Sequence, residues 1–169
     1  FLAPVFLVFA IIPFGSDGFL SKLNVGLLFI IGVTSANTIA IMMGGWSSRN
    51  KFALLGTMRG VAMLISYEVP MALALTGVVI MAGSLSLAEI VASQDLPFIV
   101  VQPLGFLVFI VAASAEMSRT PFDMIESESE LIGGYNTEYS GMKFAIFQLA
   151  DFIAPLATSA VVTVLFLGG

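Results

Sequence analysis

Between residues 116 and 143 the chain carries Glu116, Asp123, Glu126, Glu128, Glu130 and Glu138 together with Arg119, and an apolar segment flanks this stretch on either side. Carboxylates at this density take up and release protons, and a guanidinium beside them offers a planar fork of donors to an anionic or polar head group. The chemistry such a set supports is proton transfer next to a polar ligand. An acidic run is ordinarily a solvated face, but this one also holds Phe122, Ile125, Leu131, Ile132 and Tyr135, which a solvated loop does not need. Its acidity is unfavourable beside anionic lipid head groups. A docked protein covering the loop accounts for both features. Thr120, Pro121 and Asp123 fit a helix start, with threonine as N-cap, proline at the first helical position and a carboxylate at the third.

Two further carboxylates stand where apolar residues are expected. Glu68 falls inside a long apolar run, and Asp151 at a comparable depth in another. A carboxylate within a bilayer costs at least about 2.5–3.5 kcal/mol on insertion scales, so it faces a partner or water. Pro70 cannot bond to the carbonyl of Ser66, nor Pro155 to that of Asp151, which leaves a free backbone acceptor near each acid. In lipid such a group must be met by protein or by a water-filled cavity. One reading pairs Glu68 with Arg59 or Arg119 as a lock between helices. The other makes Glu68 and Asp151 members of a hydrated proton path, which Glu116, Glu126, Glu128, Glu130 and Glu138 extend to the surface.

The elements that position these residues follow from the composition. Hydrophobic residues make up 59% of the 169 positions and charged residues 10%, against about 25% charged in soluble domains. That much apolar surface does not fit inside one soluble core. The expected fold is an all-α integral membrane protein, a bundle with four full spans and one partial span in a single transmembrane domain. Helices are expected at about 1–14, 25–43, 51–81, 98–115 (interrupted early by Pro103 and Gly105) and 144–167, with a polar loop at 116–143. Thr34, Ser35, Asn37 and Thr38 in the second helix suit hydrogen bonding between helices. Asn50 is placed to cap the third. Gly44, Gly45 and Trp46 are read as the end of the second, and 83–95 as an acidic loop. The apolar run 1–14 is short for a full span, starts without methionine and has no basic segment before it, so it reads as the end of a truncated helix.

Cysteine and histidine are both absent. Iron–sulfur clusters need thiolates and structural zinc needs Cys or His, so electron carriers are expected on another chain or on a diffusible ligand. The nine methionines read as packing residues. Of the six basic residues, Arg49, Lys51, Arg59, Arg119 and Lys143 fall on or near one side and Lys22 on the other. The positive-inside rule then puts the loops 47–52 and 116–143 on the cytoplasmic side.

Two long motifs carry a resemblance. Glu116-Met-Ser-Arg119-Thr-Pro121-Phe122-Asp123, followed by Glu126-Ser-Glu128-Ser-Glu130-Leu and Gly134-Tyr-Asn136-Thr-Glu138-Tyr139, resembles the signature of the H-subunit family of respiratory complex I. Gly45-Trp46-Ser-Ser-Arg49-Asn50-Lys51-Phe-Ala-Leu-Leu-Gly56 and Ile65-Ser-Tyr67-Glu68-Val69 resemble its second signature. The resemblance covers most of residues 25–155. It implies a fragment of an eight-helix membrane subunit of a proton-translocating NADH-quinone oxidoreductase. In that family the subunit forms the membrane wall of the quinone chamber, docks the hydrophilic iron–sulfur arm and begins the proton path. By this resemblance Arg119, Pro121, Phe122 and Asp123 match the quinone-chamber loop. Glu68, Glu116, Glu126, Glu128, Glu130, Glu138 and Asp151 match the acidic positions of the proton path. Asp151 stands where many members have glutamate, Ser127 where glycine is expected and Gly133 where serine is common. Quinone is the implied substrate, with FMN and iron–sulfur clusters on partner subunits and a multi-pass location in the cell inner membrane. No nucleic-acid partner and no metal site are expected, and no catalysis from this chain alone. Membrane subunits of energy-converting hydrogenases and of ferredoxin- or F420-linked oxidoreductases share the resemblance. A proton-coupled transporter is the alternative from another class; it would be expected to show paired half-repeats, and none is evident.

Overall fold

The computed structural model describes residues 2–15, 23–118, 122 and 140–169. Arg119, Pro121, Asp123, Glu126, Glu128, Glu130 and Glu138 lie outside the described residues, as do Lys22 and the expected Thr120 cap. All regular elements among the described residues are helical. Helix α1 covers Leu2–Phe9, shorter than the expected 1–14. Its last turn tightens, with Ile11 N–H donating to the Val8 carbonyl at 3.2 Å. The residue before a proline is driven out of the α region, so Pro13 stops the helix early. Ile11 and Ile12 are nonetheless buried as the chain leaves it.

Helix α2 spans Gly26–Ser47 and so runs through the glycines read as its terminator. Gly44 and Gly45 are buried in its last turns. A methyl group on Gly45 would lie 2.5 Å from Thr57 Cβ and 2.7 Å from Thr57 Cγ2. The glycine serves a close helix–helix approach, not a helix end.

Helix α3 spans Lys51–Ala82. Asn50 caps it, its Oδ1 accepting the Phe52 N–H at 3.0 Å. Gly83, at φ 69°, closes it in the left-handed conformation with its N–H on the Val79 carbonyl at 2.8 Å. Its 32 residues extend about 48 Å, well beyond the roughly 30 Å hydrocarbon layer.

The segment expected as a loop at 83–95 contains a short helix, α4, at Leu87–Ala92. Leu87 and Ile90 are buried there, so apolar contacts order what its acidity suggested was solvated. The next expected span is divided into α5, Phe98–Val101, and α6, Pro103–Glu116. Gln102, at φ −128° and ψ 62°, breaks the helix because the proline that follows disfavours the α conformation and brings no N–H. The Gln102 side chain fills the space left by Gly77 on α3 and Gly105 on α6.

Helix α7 spans Met142–Val162 and contains Pro155. It widens into a π-helical turn at Thr163–Leu167, which ends at Gly168 with φ 98°. Gln94 Nε2 donates to the carbonyls of Val164 and Leu165 at 3.0 and 3.1 Å, satisfying acceptors that this turn exposes. Among the described residues three helices, α2, α3 and α7 with its π turn, are long and apolar enough to cross a membrane, while α6 at 14 residues is a shorter apolar helix.

The packed core lies toward the α4–α5 end, where Leu75, Val78, Ile90, Leu165 and Phe166 are nearly inaccessible. Phe106 packs edge-on against Phe166 and Phe109 packs at a tilt, with ring centroids at 5.4 Å in each pair. Outward-facing positions are apolar too: Ile80 and Leu104 are each 76% exposed. Apolar residues inside and outside are what a lipid solvent requires.

Candidate functional site

Glu68 lies 17 residues into α3, and Glu116 is the last residue of α6. The two helices pack side by side. The Gly77–Gln102–Gly105 contact sets their register toward the far end of the bundle. From there α6 runs back and stops level with Glu68, while α3 continues another 17 residues toward Asn50. The loop after α6 therefore departs from the depth of Glu68, not from the tip of α3.

The carboxylates of Glu68 and Glu116 are close enough to interact electrostatically. Each is met by a neighbouring hydroxyl of α2. Ser35 Oγ donates to Glu68 Oε1, and the Thr34 hydroxyl reaches Glu116. Consecutive helical residues point about 100° apart, so one turn of α2 serves both acids. Both hydroxyls also contact the Ile31 carbonyl, at 2.9 Å each. Phe122 packs edge-on against Tyr67, with ring centroids 5.1 Å apart and an interplanar angle of 64°. This contact joins the loop motif around residues 119–123 to the helix motif around residues 65–69.

Of the residues singled out from the sequence, the structure brings Glu68, Glu116 and Phe122 into one neighbourhood. Asp151 is half-buried on α7, on the same helical stripe as Ala154 and Thr158. The remaining predicted site residues lie outside the described residues. The lock between Glu68 and Arg59 within α3 does not fit the helix: nine residues separate them by about 13 Å along the axis and place them on opposite faces. Glu116, read from sequence as one of the residues that extend the path from Glu68 toward the surface, stands near Glu68. The specific roles of Thr34 and Ser35 were not legible beyond their hydroxyl character. The signal was their adjacency, which equips one helix to reach two neighbours.

The fold and site define a polytopic helical membrane protein with two neighbouring carboxylates, each met by a hydroxyl of a third helix. The chain belongs to the NADH dehydrogenase family, whose sequence profile matches residues 1–169. It is 55% identical over 166 residues to the NADH-quinone oxidoreductase H subunit of Dehalococcoides mccartyi strain CBDB1, covering 98% of this chain and 47% of that protein. The H subunit of Bacillus cytotoxicus is 49% identical over 168 residues, covering 99% of this chain and 50% of the relative. The H subunit of Bacillus thuringiensis strain Al Hakam is 50% identical over 168 residues, again 99% and 50%. The chain thus spans about half the length of the curated relatives it matches.

Proposed function

We propose that this chain is part of the membrane-embedded H subunit of a proton-translocating NADH-quinone oxidoreductase, where it forms part of the quinone chamber and begins the proton-coupling path. The juxtaposition of Glu68 and Glu116, with Phe122 of the loop motif on the neighbouring Tyr67, carries this reading. Two carboxylates at one site repel when both are charged, so a proton taken up by one changes the charge the other faces. A change of charge in the adjacent loop alters the cost of that proton. Reduction of a quinone to a quinol consumes two electrons and two protons, so its chemistry perturbs nearby carboxylates directly. Arg119, Pro121, Phe122 and Asp123 form the loop that holds the quinone head group in this reading. Glu126, Glu128, Glu130 and Glu138 supply protons from the aqueous side, and Asp151 relays them on α7. FMN and iron–sulfur clusters sit on the partner subunits that bind the loop 116–143. The protein lies in the cell inner membrane with the loops 47–52 and 116–143 in the cytoplasm.

The test is to tag the full-length protein, solubilise native membranes gently and identify the co-purifying subunits. Recovery with iron–sulfur subunits and a flavin module that oxidises NADH supports the proposal. A nickel hydrogenase subunit in their place moves the chain to the energy-converting hydrogenases, and recovery alone from intact complexes rejects both.

A further inference from the structure

A cavity of about 90 Å³ lies between α1, α2, α3, α6 and α7, and its wall is mostly apolar. Its polar lining comes from Thr34 and Asn37 of α2, Glu116 of α6 and Thr158 of α7. The two threonine hydroxyl protons are already engaged. The Thr158 hydroxyl proton is committed to the Ala154 carbonyl at 3.0 Å. The single Thr34 hydroxyl proton faces two acceptors, the Ile31 carbonyl and Glu116. Asn37 Oδ1 is buried and has no hydrogen-bond partner among the described residues. A buried amide oxygen left unpaired costs about 1–3 kcal/mol, so such atoms are normally met by protein or by ordered water.

We infer that Asn37 is a water-holding residue: its Oδ1 fixes water in this cavity, which Thr34, Thr158 and Glu116 also line. Water is the occupant that suits this lining. It brings donors to the unpaired Asn37 oxygen, and the volume accommodates several molecules, whereas an organic ligand would have to satisfy the same oxygen while filling an otherwise apolar wall. Apolar wall residues such as Val5, Val8, Leu75 and Val161 offer water no polar partners. Glu116 then has Glu68 as a neighbour in the site and this water in the cavity. A proton leaving its carboxyl oxygen passes to the water oxygen and returns by the same hydrogen bond, so charge and atoms balance in each exchange. Asn37 is thus a positioning residue for the carboxylate pair, and the inference rests on the proposed role of that pair in proton coupling.

The test uses the full-length protein in its intact complex. A high-resolution structure is expected to show an ordered water about 2.6–3.2 Å from Asn37 Oδ1. Asn37→Leu keeps the size and removes the acceptor; Asn37→Ser loses size but keeps an oxygen. Water holding predicts about ten-fold slower coupled quinone reduction in Asn37→Leu and near-normal rates in Asn37→Ser, since 1.4 kcal/mol of lost hydrogen bonding is tenfold in rate. A packing role predicts the reverse order. A dry Asn37 in a map that resolves other buried waters, equal loss in both variants, or a tolerated leucine each overturns the inference. Should Asn37→Leu fail to assemble, the map and the serine variant still decide. A wild-type complex that reduces no quinone would remove the functional proposal alone, leaving the water at Asn37 to be judged from the map.

Discussion

Replacing Gly45 by alanine tests whether the approach of α2 to α3 positions the carboxylate site. The added methyl would stand 2.5 Å from Thr57 Cβ and 2.7 Å from Thr57 Cγ2, where carbon atoms rest at about 3.5–4.0 Å. Thr57 is fully buried and its hydroxyl is bonded to the Ala53 carbonyl at 2.7 Å. A rotamer change moves Cγ2 but not Cβ, so relief requires α2 to move from α3 by about 1 Å or more. Overpacking of this kind costs about 1–3 kcal/mol, partly offset by up to about 1 kcal/mol from alanine's better helix propensity. Gly32, on the same helix with nothing within 4 Å of an added Cβ, is the internal control. Gly32→Ala is expected to be neutral or stabilising by up to about 1 kcal/mol. Thermal unfolding of the purified full-length complex, read on the membrane domain, separates the two. Gly45→Ala should lower the midpoint and Gly32→Ala should not, and Gly45→Ala should also lose coupled activity because α2 carries Ser35 to Glu68. Equal midpoints in the two variants would refute the steric argument.

Glu68→Gln in the full-length protein is expected to reduce coupled quinone reduction by about 100-fold, in the range of lost acid–base groups, while NADH oxidation by an artificial acceptor stays normal; Asp123→Asn should behave alike, and wild-type rates in both would remove the proposed roles. Gln94→Leu strips the donors from the Val164 and Leu165 carbonyls and should destabilise the membrane domain by about 1–3 kcal/mol in a denaturation series. Asn50→Ala removes the cap on the Phe52 N–H and is expected to cost about 1 kcal/mol, whereas Asn50→Asp should preserve most of it. An unchanged midpoint in Asn50→Ala would show that the start of α3 is held by other contacts.

The membrane class and the long helices were legible because both depend on local composition and length. Hydropathy marks a segment that lipid can surround, and Asn50 caps α3 through a contact two residues away. Prediction failed where a contact from elsewhere in the chain set the local outcome. Gly44 and Gly45 read as a helix end because glycine favours one, yet Thr57 on another helix uses the missing Cβ of Gly45. The segment 83–95 read as an acidic loop, yet Leu87 and Ile90 are drawn into the core and wind it into α4. The interruption at Gln102 and Pro103 could be seen locally, but not that its side chain would sit between two glycines.

The sequence by itself determined that carboxylates stand inside apolar helices and beside helix-weakening prolines, because residue type and hydropathy are properties of short windows. It also carried the motif pair that marks the family. Only the tertiary structure decided which carboxylates meet. Glu68 and Glu116 are 48 positions apart in the chain, and their pairing follows from the packing of α3 on α6 and from where α6 stops. Likewise the hydroxyl run of α2 became two separate contacts, Ser35 to Glu68 and Thr34 to Glu116, because α2 packs on α3 and the end of α6 comes within reach of the next side chain. Electrostatic coupling depends on distance through space, and distance through space is set by packing.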